Sequence, residues 1–282
     1  MENSICVKQT RIKDNFFMGL IYLSAFIAVG LLVGIICYVA FRGVSSISWQ
    51  FLSTIPSTLE GTFGILGNIV NTLYIIVITL IIATPIGIGA AVYLTEYAKP
   101  GKIVSLIEFT TETLAGIPSI IYGLFGMVFF GISLHLGYSI LCGSLTLTLM
   151  VLPIIIRTTQ EALKTVPLGY RTGALGIGAT KWYMIRTIIL PSAMPGIVTA
   201  VILSVGRIVG ESVALLFTAG SAYLLPKNLF SHVLTSGGTL TIQMYLSMSK
   251  ADYGNAFAIA LVLIVVVLAI NALTKVATKK LS

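Results

Sequence analysis

Long uncharged apolar intervals alternate with short charged stretches along the chain. Crossing the hydrocarbon core of a bilayer takes about 20 apolar residues in a helix. The intervals that contain such a helix are 16–41, 68–93, 187–219 and 253–274. The interval between Glu112 and Arg157 is too long for one span, and the polar break at 135–138 divides it into two. The pattern predicts an all-α polytopic membrane protein with about six membrane-spanning helices.

These spans organise the rest of the chain. The predicted segments are an N-terminal tail (1–15), a first transmembrane helix (16–41), a five-helix core (66–275) and a C-terminal tail (276–282). Within the core, the connectors at 157–186 and 220–252 are longer than the spans require. Long connectors often carry function, so both are candidate functional segments.

Charge is scarce and its distribution is uneven. Of the 282 residues, 57% are hydrophobic and 9% are charged, whereas a soluble domain carries about 25% charged residues. The net charge of +8 comes from basic residues in short patches between apolar runs. Nucleic-acid binding needs basic residues gathered on one face, so no nucleic-acid partner is predicted.

The basic patches predict the orientation of the chain in the cytoplasmic membrane. Loops rich in Lys and Arg stay in the cytoplasm. A cytoplasmic N-terminus leaves only Arg42, Lys227 and Lys250 outside and Arg207 within the membrane. With an even number of spans, the C-terminus is also cytoplasmic, connector 157–186 is cytoplasmic and connector 220–252 is external.

Residues with catalytic or metal-binding chemistry are few and scattered. Cys6, Cys37 and Cys142 have no CxxC spacing and are predicted to be inert packing residues. His135 and His232 lack acidic neighbours and are predicted to be loop residues without a metal or catalytic role.

No enzyme site is predicted either. The chain lacks a Ser, His and Asp set at catalytic spacing, and 101–103 does not match the phosphate-binding GxxxxGK sequence of an ATP site. Glu96, Glu108 and Glu112 lie near the predicted cytoplasmic face, where we expect them to cap or solvate helix ends. We therefore expect a chain that binds no cofactor or metal of its own.

Connector 157–186 leads into an ordered motif. Residues 172–174 are followed at fixed spacing by Gly178, Ile188, Leu190 and Pro191. This pattern resembles the EAA loop of binding-protein-dependent ABC importer permeases. The resemblance implies a type I importer permease fold, in which the loop forms a short coupling helix that docks on a cytoplasmic ATPase. An ordinary basic connector would explain the charges but not this spacing.

The resemblance identifies candidate coupling residues. Gly178 permits a tight turn, and Lys181 and Trp182 can anchor the chain at the level of the lipid headgroups. Thr172 stands where the family usually has Glu, so a hydroxyl replaces any charge contact there or the contact is lost. The full candidate set is Thr172, Gly173, Ala174, Gly178, Ala179, Lys181 and Trp182.

Two further segments narrow the resemblance. Residues 114–126 and 207–219 resemble the phosphate-specific importer permeases of the PstA type. That family implies a second permease of the PstC type, two ATPases of the PstB type that bind ATP and Mg²⁺, and an extracytoplasmic phosphate-binding protein of the PstS type. Surrounding lipid completes the expected partners. The alternatives are a permease for molybdate, tungstate or sulfate, or a secondary transporter or channel.

Arg207 and Glu211 interrupt the apolar interval 187–219. A charge near the centre of a membrane helix costs about 2.5 to 3.5 kcal/mol, so it usually serves a purpose. Four residues apart on one predicted helix, the two can neutralise each other. We predict that Arg207 guides the anion and that Glu211 holds the Arg207 side chain when no anion is bound. A purely structural ion pair would give the same spacing.

Two glycines and a second arginine accompany this pair. Gly206 and Gly210 have the GxxxG spacing that lets a neighbouring helix approach closely. The charges are therefore predicted to face a subunit interface on the translocation path. Arg157 is a weaker candidate for the same path, at the predicted cytoplasmic end of its helix.

Overall fold

The computed structural model describes residues 10–56, 62–99, 101–226, 228 and 231–279. The start of the predicted tail 1–15, Lys227 and 280–282 lie outside the described residues. The α-helices are α1 (Thr10–Gly43), α2 (Trp49–Ser53), α3 (Leu66–Val92), α4 (Lys102–Ala115), α5 (Ser119–Gly126), α6 (Ile140–Thr165), α7 (Leu168–Gly176), α8 (Lys181–Met184), α9 (Leu190–Val209), α10 (Val213–Thr218), α11 (Leu240–Ser249) and α12 (Tyr253–Lys279). Three segments are π-helical. Tyr93–Tyr97 follows α3, Met127–Ser133 follows α5, and Ile185–Ile189 connects α8 to α9.

The helices confirm the predicted architecture. In the described part of the chain, 5 helices are long and apolar enough to cross a membrane, or up to 6 if one bent pair is a single span. These spans are Asp14–Ser46, Leu66–Tyr97, Ile140–Thr165, Lys181–Val209 and Tyr253–Val276, with Lys102–Ala115 and Ser119–Ser133 as the bent pair. The predicted all-α fold with about six spans is therefore correct.

Helices α3, α6 and α9 form the centre of the bundle. Their facing side chains, including Ile75, Leu147, Ile155 and Val205, are almost fully buried. Helix α1, in contrast, is largely exposed, and it contacts the beginning of α12, where Gly43 lies against the Phe257 backbone. Lipid or another subunit must cover α1, because water does not solvate so much apolar surface favourably.

The third span is not the single helix that the apolar interval predicts. Helices α4 and α5 meet at 101° across a break of a few residues. Pro118 in this break lacks a backbone N–H and restricts the residue before it, so the helix ends. The Tyr122 hydroxyl donates a hydrogen bond to the Leu114 carbonyl oxygen at 2.8 Å and so bridges the bend.

The fifth span also ends earlier than predicted. Helix α9 stops at Val209, and α10 begins only at Val213. Arg207 and Glu211 therefore do not share one helix, and Glu211 lies in the break between two helices. The prediction that both residues lie on one helix was wrong, because α9 ends before Glu211.

The connectors are more structured than their length alone suggests. Helix α6 continues to Thr165, so Arg157 lies inside a helix and not at its end. Connector 220–252 contains a 3₁₀ turn, Ser231–Leu234, and helix α11. The segment before α11 folds back onto the start of α3.

Buried amides hold this connector in place. Asn68 Nδ2 donates to the Gly238 carbonyl oxygen at 3.0 Å, and Asn71 Nδ2 donates to the Ala222 carbonyl oxygen at 3.2 Å. His232 Nε2 lies 2.8 Å from Asn71 Oδ1. Because the Asn71 nitrogen donates to a carbonyl, its oxygen accepts, and His232 must carry its proton on Nε2. His232 is a loop residue as predicted, but a buried one.

Acid should loosen this contact. Burial lowers the pKa of His232 below its ordinary value, so the folded protein favours the neutral ring. The stabilisation is complete above the unfolded-state pKa of about 6.5 and is lost as the pH falls below it. We expect the thermal unfolding temperature in detergent to fall between pH 7.5 and 5.5, and His232→Gln to reduce this pH dependence.

His135→Asn is the matched control for this measurement. His135 is exposed at a turn with a φ of 55°, a conformation that Asn tolerates. The control should keep the pH dependence of the wild type. An equal acid sensitivity in His232→Gln would show that other groups cause it.

Candidate functional site

Arg207 lies in the last turn of α9 and is partly open to its surroundings. Its side chain is 43% exposed, and its Nη2 atom is 3.6 Å from Glu211 Oε2. The same nitrogen lies 3.9 Å from Met150 Sδ on α6, which is only a weak acceptor. The predicted pair therefore exists, although the helix ends between its members.

Glu211 is held much more firmly than Arg207. Its side chain is only 4% exposed. Its Oε1 accepts a hydrogen bond from the Ala214 backbone N–H at 3.1 Å, and its carbonyl oxygen accepts one from Thr241 Oγ1 at 2.9 Å. A carboxylate at a helix start is favourable because the free N–H groups there carry partial positive charge. Glu211 thus caps α10, ties α11 to the break and faces Arg207.

The predicted glycine pair lies on an open face of α9. A Cβ atom on Gly206 would have nothing within 4 Å among the described residues, and one on Gly210 would meet only the Gly206 carbonyl oxygen of its own helix. Leu203 and Arg207 are exposed on the same side. The close approach predicted from GxxxG therefore does not occur inside the chain. A partner helix at this face stays a prediction.

Arg157 forms an ion pair with Glu112 that joins α6 to α4. Both side chains are about half exposed, at 49% and 53%. The pair borders a polar cavity of about 340 Å³ that Glu108, Glu161 and Lys164 also line. Glu112, which the sequence predicted to cap or solvate a helix end, lies in the last turn of α4 and also pairs with an arginine.

Glu96 departs from the same expectation. It forms an ion pair with Arg171, the residue just before the EAA-like motif.

Among the described residues, no three His, Cys, Asp or Glu side chains lie together as a metal site would require.

The two segments that resemble the phosphate-specific permeases meet in space. Helix α5, from the first segment, packs on α10, from the second. A Cβ atom on Gly123 would lie 2.8 Å from Ala214 Cα, and one on Gly126 would lie 2.9 Å from Thr218 Cγ2. Side chains at these glycines would force the helices apart. The pattern of the sequence did not predict this pairing, because the segments are far apart in the chain.

The coupling motif forms helix α7, a tight turn and helix α8. Gly178 in the turn has a φ of +86°, a conformation that favours glycine. Its N–H donates to the Leu175 carbonyl oxygen at 3.0 Å. The Thr172 hydroxyl bonds back to the Leu168 carbonyl oxygen at 3.3 Å, so it is engaged within α7.

The candidate coupling residues fall into two groups. Thr172, Gly173, Gly178, Lys181 and Trp182 are exposed, while Ala179 is half-buried and Ala174 is buried. The Ala174 side chain packs against the transmembrane helices and faces away from the exposed side. Lys181 Nζ lies 4.9 Å from the centre of the Tyr97 ring, which is a favourable cation–π distance.

Apolar side chains that the motif did not single out cover the outer face of this loop. Leu168 is 74% exposed and Ile177 is 87% exposed, with Tyr170, Leu175 and Trp182 also exposed. Several exposed apolar side chains on one short loop indicate a contact surface, and these five residues are called the apolar patch below. In the sequence, this surface was indicated by the apolar residues Leu175 and Ile177, which lie between the glycines of the motif.

The long apolar helices of the bundle are those of a multi-pass membrane protein. The chain belongs to the binding-protein-dependent transport system inner membrane components, because residues 83–282 match that family. The family resemblance stated from the sequence is confirmed.

Curated relatives support the same assignment. The probable ABC transporter permease protein YqgI of Bacillus subtilis is 39% identical over 210 residues, which cover 74% of this chain and 71% of that protein. The phosphate transport system permease protein PstA of Mycobacterium leprae is 32% identical over 270 residues, which cover 93% and 87%. PstA of Haemophilus influenzae is 30% identical over 263 residues, which cover 93% and 92%.

Solved structures confirm the type I ABC importer permease fold. A chain of the bacterial alginate ABC transporter, solved with an alginate-loaded periplasmic protein, has a TM-score of 0.67 and 17% identity and covers 95% of each chain. A chain of the inward-facing methionine transporter MetNI has a TM-score of 0.58 and 19% identity and covers 78% of this chain and 94% of that one. At this identity the likeness concerns the fold.

Gly178→Ala should destabilise the coupling turn. An L-residue in a left-handed conformation costs about 1 to 2 kcal/mol. We expect amide hydrogen exchange to rise about 5- to 30-fold across 168–184, the factor that corresponds to this cost. Gly176→Ala is the matched control, since its Cβ also meets open space but its φ is not positive. Equal exchange in both variants would contradict this account of the turn.

Proposed function

We propose that this chain is a transmembrane permease subunit of an ATP-driven importer that moves inorganic phosphate across the cytoplasmic membrane. The carrying observation is the half-exposed Arg207 beside the buried Glu211. Support comes from relatives that are named PstA and cover most of the chain. The chain itself performs translocation, while a partner ATPase binds ATP and Mg²⁺ and hydrolyses ATP.

The geometry of Arg207 suits transient binding of an anion. A guanidinium offers forked N–H donors that match phosphate oxygens and stays ionised at any physiological pH. The 3.6 Å separation from Glu211 Oε2 is longer than an ordinary hydrogen bond, which lies between about 2.7 and 3.2 Å. A phosphate can therefore draw the guanidinium away without breaking a strong bond, and Glu211 neutralises the arginine again after release.

Arg157 supplies a second cation, on the helix α6 that Arg207 contacts. Met150, which touches Arg207, and Arg157 both belong to α6. Their positions differ by two helical turns, so they lie on one side of α6 about 10 Å apart along its axis. The exposed pair of Arg157 with Glu112 would then receive the anion after Arg207.

The exposed surfaces suit the proposed partners. A second permease, of the PstC type, would cover the open α9 face at Gly206 and Gly210. Two ATPases of the PstB type would serve the two permeases, one of them docking on the apolar patch of α7 and α8. A phosphate-binding protein of the PstS type would deliver the ligand from outside, and lipid would surround α1. Both termini would be cytoplasmic.

Replacing Arg207 should slow transport strongly while leaving the protein in the membrane. We expect Arg207→Ala to lower the rate of labelled phosphate uptake about 10- to 100-fold, because a hydrogen bond to a charged group contributes about 1.5 to 3 kcal/mol. Uptake is measured in phosphate-starved cells that lack this chain and carry the variant. Sulfate and molybdate uptake are measured in parallel.

Arg42→Ala is the matched control, because Arg42 is also an exposed arginine but lies against Tyr38 on α1. It should support uptake like the wild type. Normal phosphate uptake by well-expressed Arg207→Ala would remove Arg207 from the pathway. If the wild-type chain restores uptake of sulfate or molybdate but not of phosphate, the proposed ligand is wrong.

A further inference from the structure

Arg171 and Glu96 form the least exposed ion pair of the described structure. The Arg171 side chain is 16% exposed and that of Glu96 is 6% exposed. Arg171 Nε and Nη2 donate to Glu96 Oε1 at 3.1 and 2.8 Å. The pair joins α7, the coupling helix of the proposed function, to the π-helical segment that ends the α3 span.

The same guanidinium also binds the end of α6. Arg171 Nη1 donates to the Val166 carbonyl oxygen at 2.7 Å, and Nη2 donates to the Leu163 carbonyl oxygen at 2.8 Å. Carbonyl groups in the last turn of a helix lack partners within the helix and carry partial negative charge. A single arginine thus closes α6 and connects three elements of the structure.

A neighbouring contact repeats the connection on the other side of the Gly178 turn. Tyr97 directly follows Glu96, and its ring lies 4.9 Å from Lys181 Nζ in α8. The end of the α3 span therefore holds both helices of the coupling loop. Beneath them, the buried Ala174 packs with Leu163 and Val166, so the loop has little freedom to slide over the bundle.

We infer that Arg171 is a positioning residue for energy coupling, which passes a displacement of α7 to the ends of α3 and α6 through Glu96 and the two carbonyl groups. The inference rests on the proposed function, since it assigns this link to an ATP-driven importer. A movement of α7 that breaks the link would separate two poorly exposed charges and take the Arg171 donor away from the Val166 carbonyl oxygen, which is costly. The three elements must consequently move together.

The donor geometry makes Arg171→Lys a sharp test. Lysine keeps the charge but concentrates its donors on one atom, so it cannot reach the carboxylate and both carbonyl oxygens together. Glu96→Gln keeps the shape and removes the charge. The complete importer, with both permeases, ATPases and phosphate-loaded binding protein, is reconstituted in lipid vesicles. Phosphate imported and ATP hydrolysed are both counted.

We expect either variant to lower the phosphate imported per ATP hydrolysed about 2- to 30-fold, the range typical of coupling networks. Unstimulated ATP hydrolysis should be unchanged. Glu96→Gln combined with Arg171→Lys should be little worse than one change alone, because the residues act as one unit. The matched control Arg186→Lys changes an exposed arginine nearby and should keep the wild-type ratio.

A wild-type ratio in both single variants would overturn the inference. If Arg171→Lys does not assemble, the series Glu96, Glu96→Asp and Glu96→Gln decides, since the ratio must fall in that order. Failure of every variant to assemble would also overturn it, because the pair would then only stabilise the fold. A wild-type complex that imports no phosphate would instead reject the proposed function.

Discussion

A charged side chain that is withdrawn from water needs a partner of opposite charge, and this constraint orders the charged residues of the chain. Each ion pair of the described structure joins an arginine to a glutamate: Arg171 with Glu96, Arg207 with Glu211, and Arg157 with Glu112. The arginine side chain is 16% exposed in the first pair, 43% in the second and 49% in the third. A buried pair resists separation, whereas an exposed one exchanges its partner readily. The same chemistry can thus serve as a fixed link in one place and as an anion site in another.

The helix breaks obey the same constraint, because backbone groups in a membrane also need partners. At the bend of the third span, the Tyr122 hydroxyl satisfies the Leu114 carbonyl oxygen. At the end of α9, Glu211 accepts from the Ala214 N–H and receives a bond from Thr241. Both breaks lie next to the packed helices α5 and α10. Irregular backbone inside a membrane is tolerated where protein surrounds it, so the packing of α5 on α10 permits both breaks.

Sequence reasoning succeeded where the determining property is local. Spans follow from runs of apolar residues, and the turn at Gly178 follows from the freedom of a single glycine. It missed the breaks at 116–118 and 210–212, because the charge count that defined the spans does not register Gly and Pro within apolar runs. It also missed the pairing of Arg171 with Glu96, whose 75-residue separation only the folded chain can close. The Arg207 and Glu211 contact was predicted from helix spacing, yet it forms across a helix end.

The open face of α9 connects the fold to the proposed phosphate pathway. A half-exposed arginine facing lipid would cost about 2.5 to 3.5 kcal/mol at the bilayer centre, and exposed glycines beside it offer lipid no side chain to pack against. Water or another protein must therefore face Arg207. Among the described residues, Glu211 is the carboxylate that pairs with it, and this contact engages one of the guanidinium nitrogens, whereas a tetrahedral anion presents oxygens on several sides. In the proposed importer, Arg207 would supply one side of the anion site and the second permease would supply the facing side.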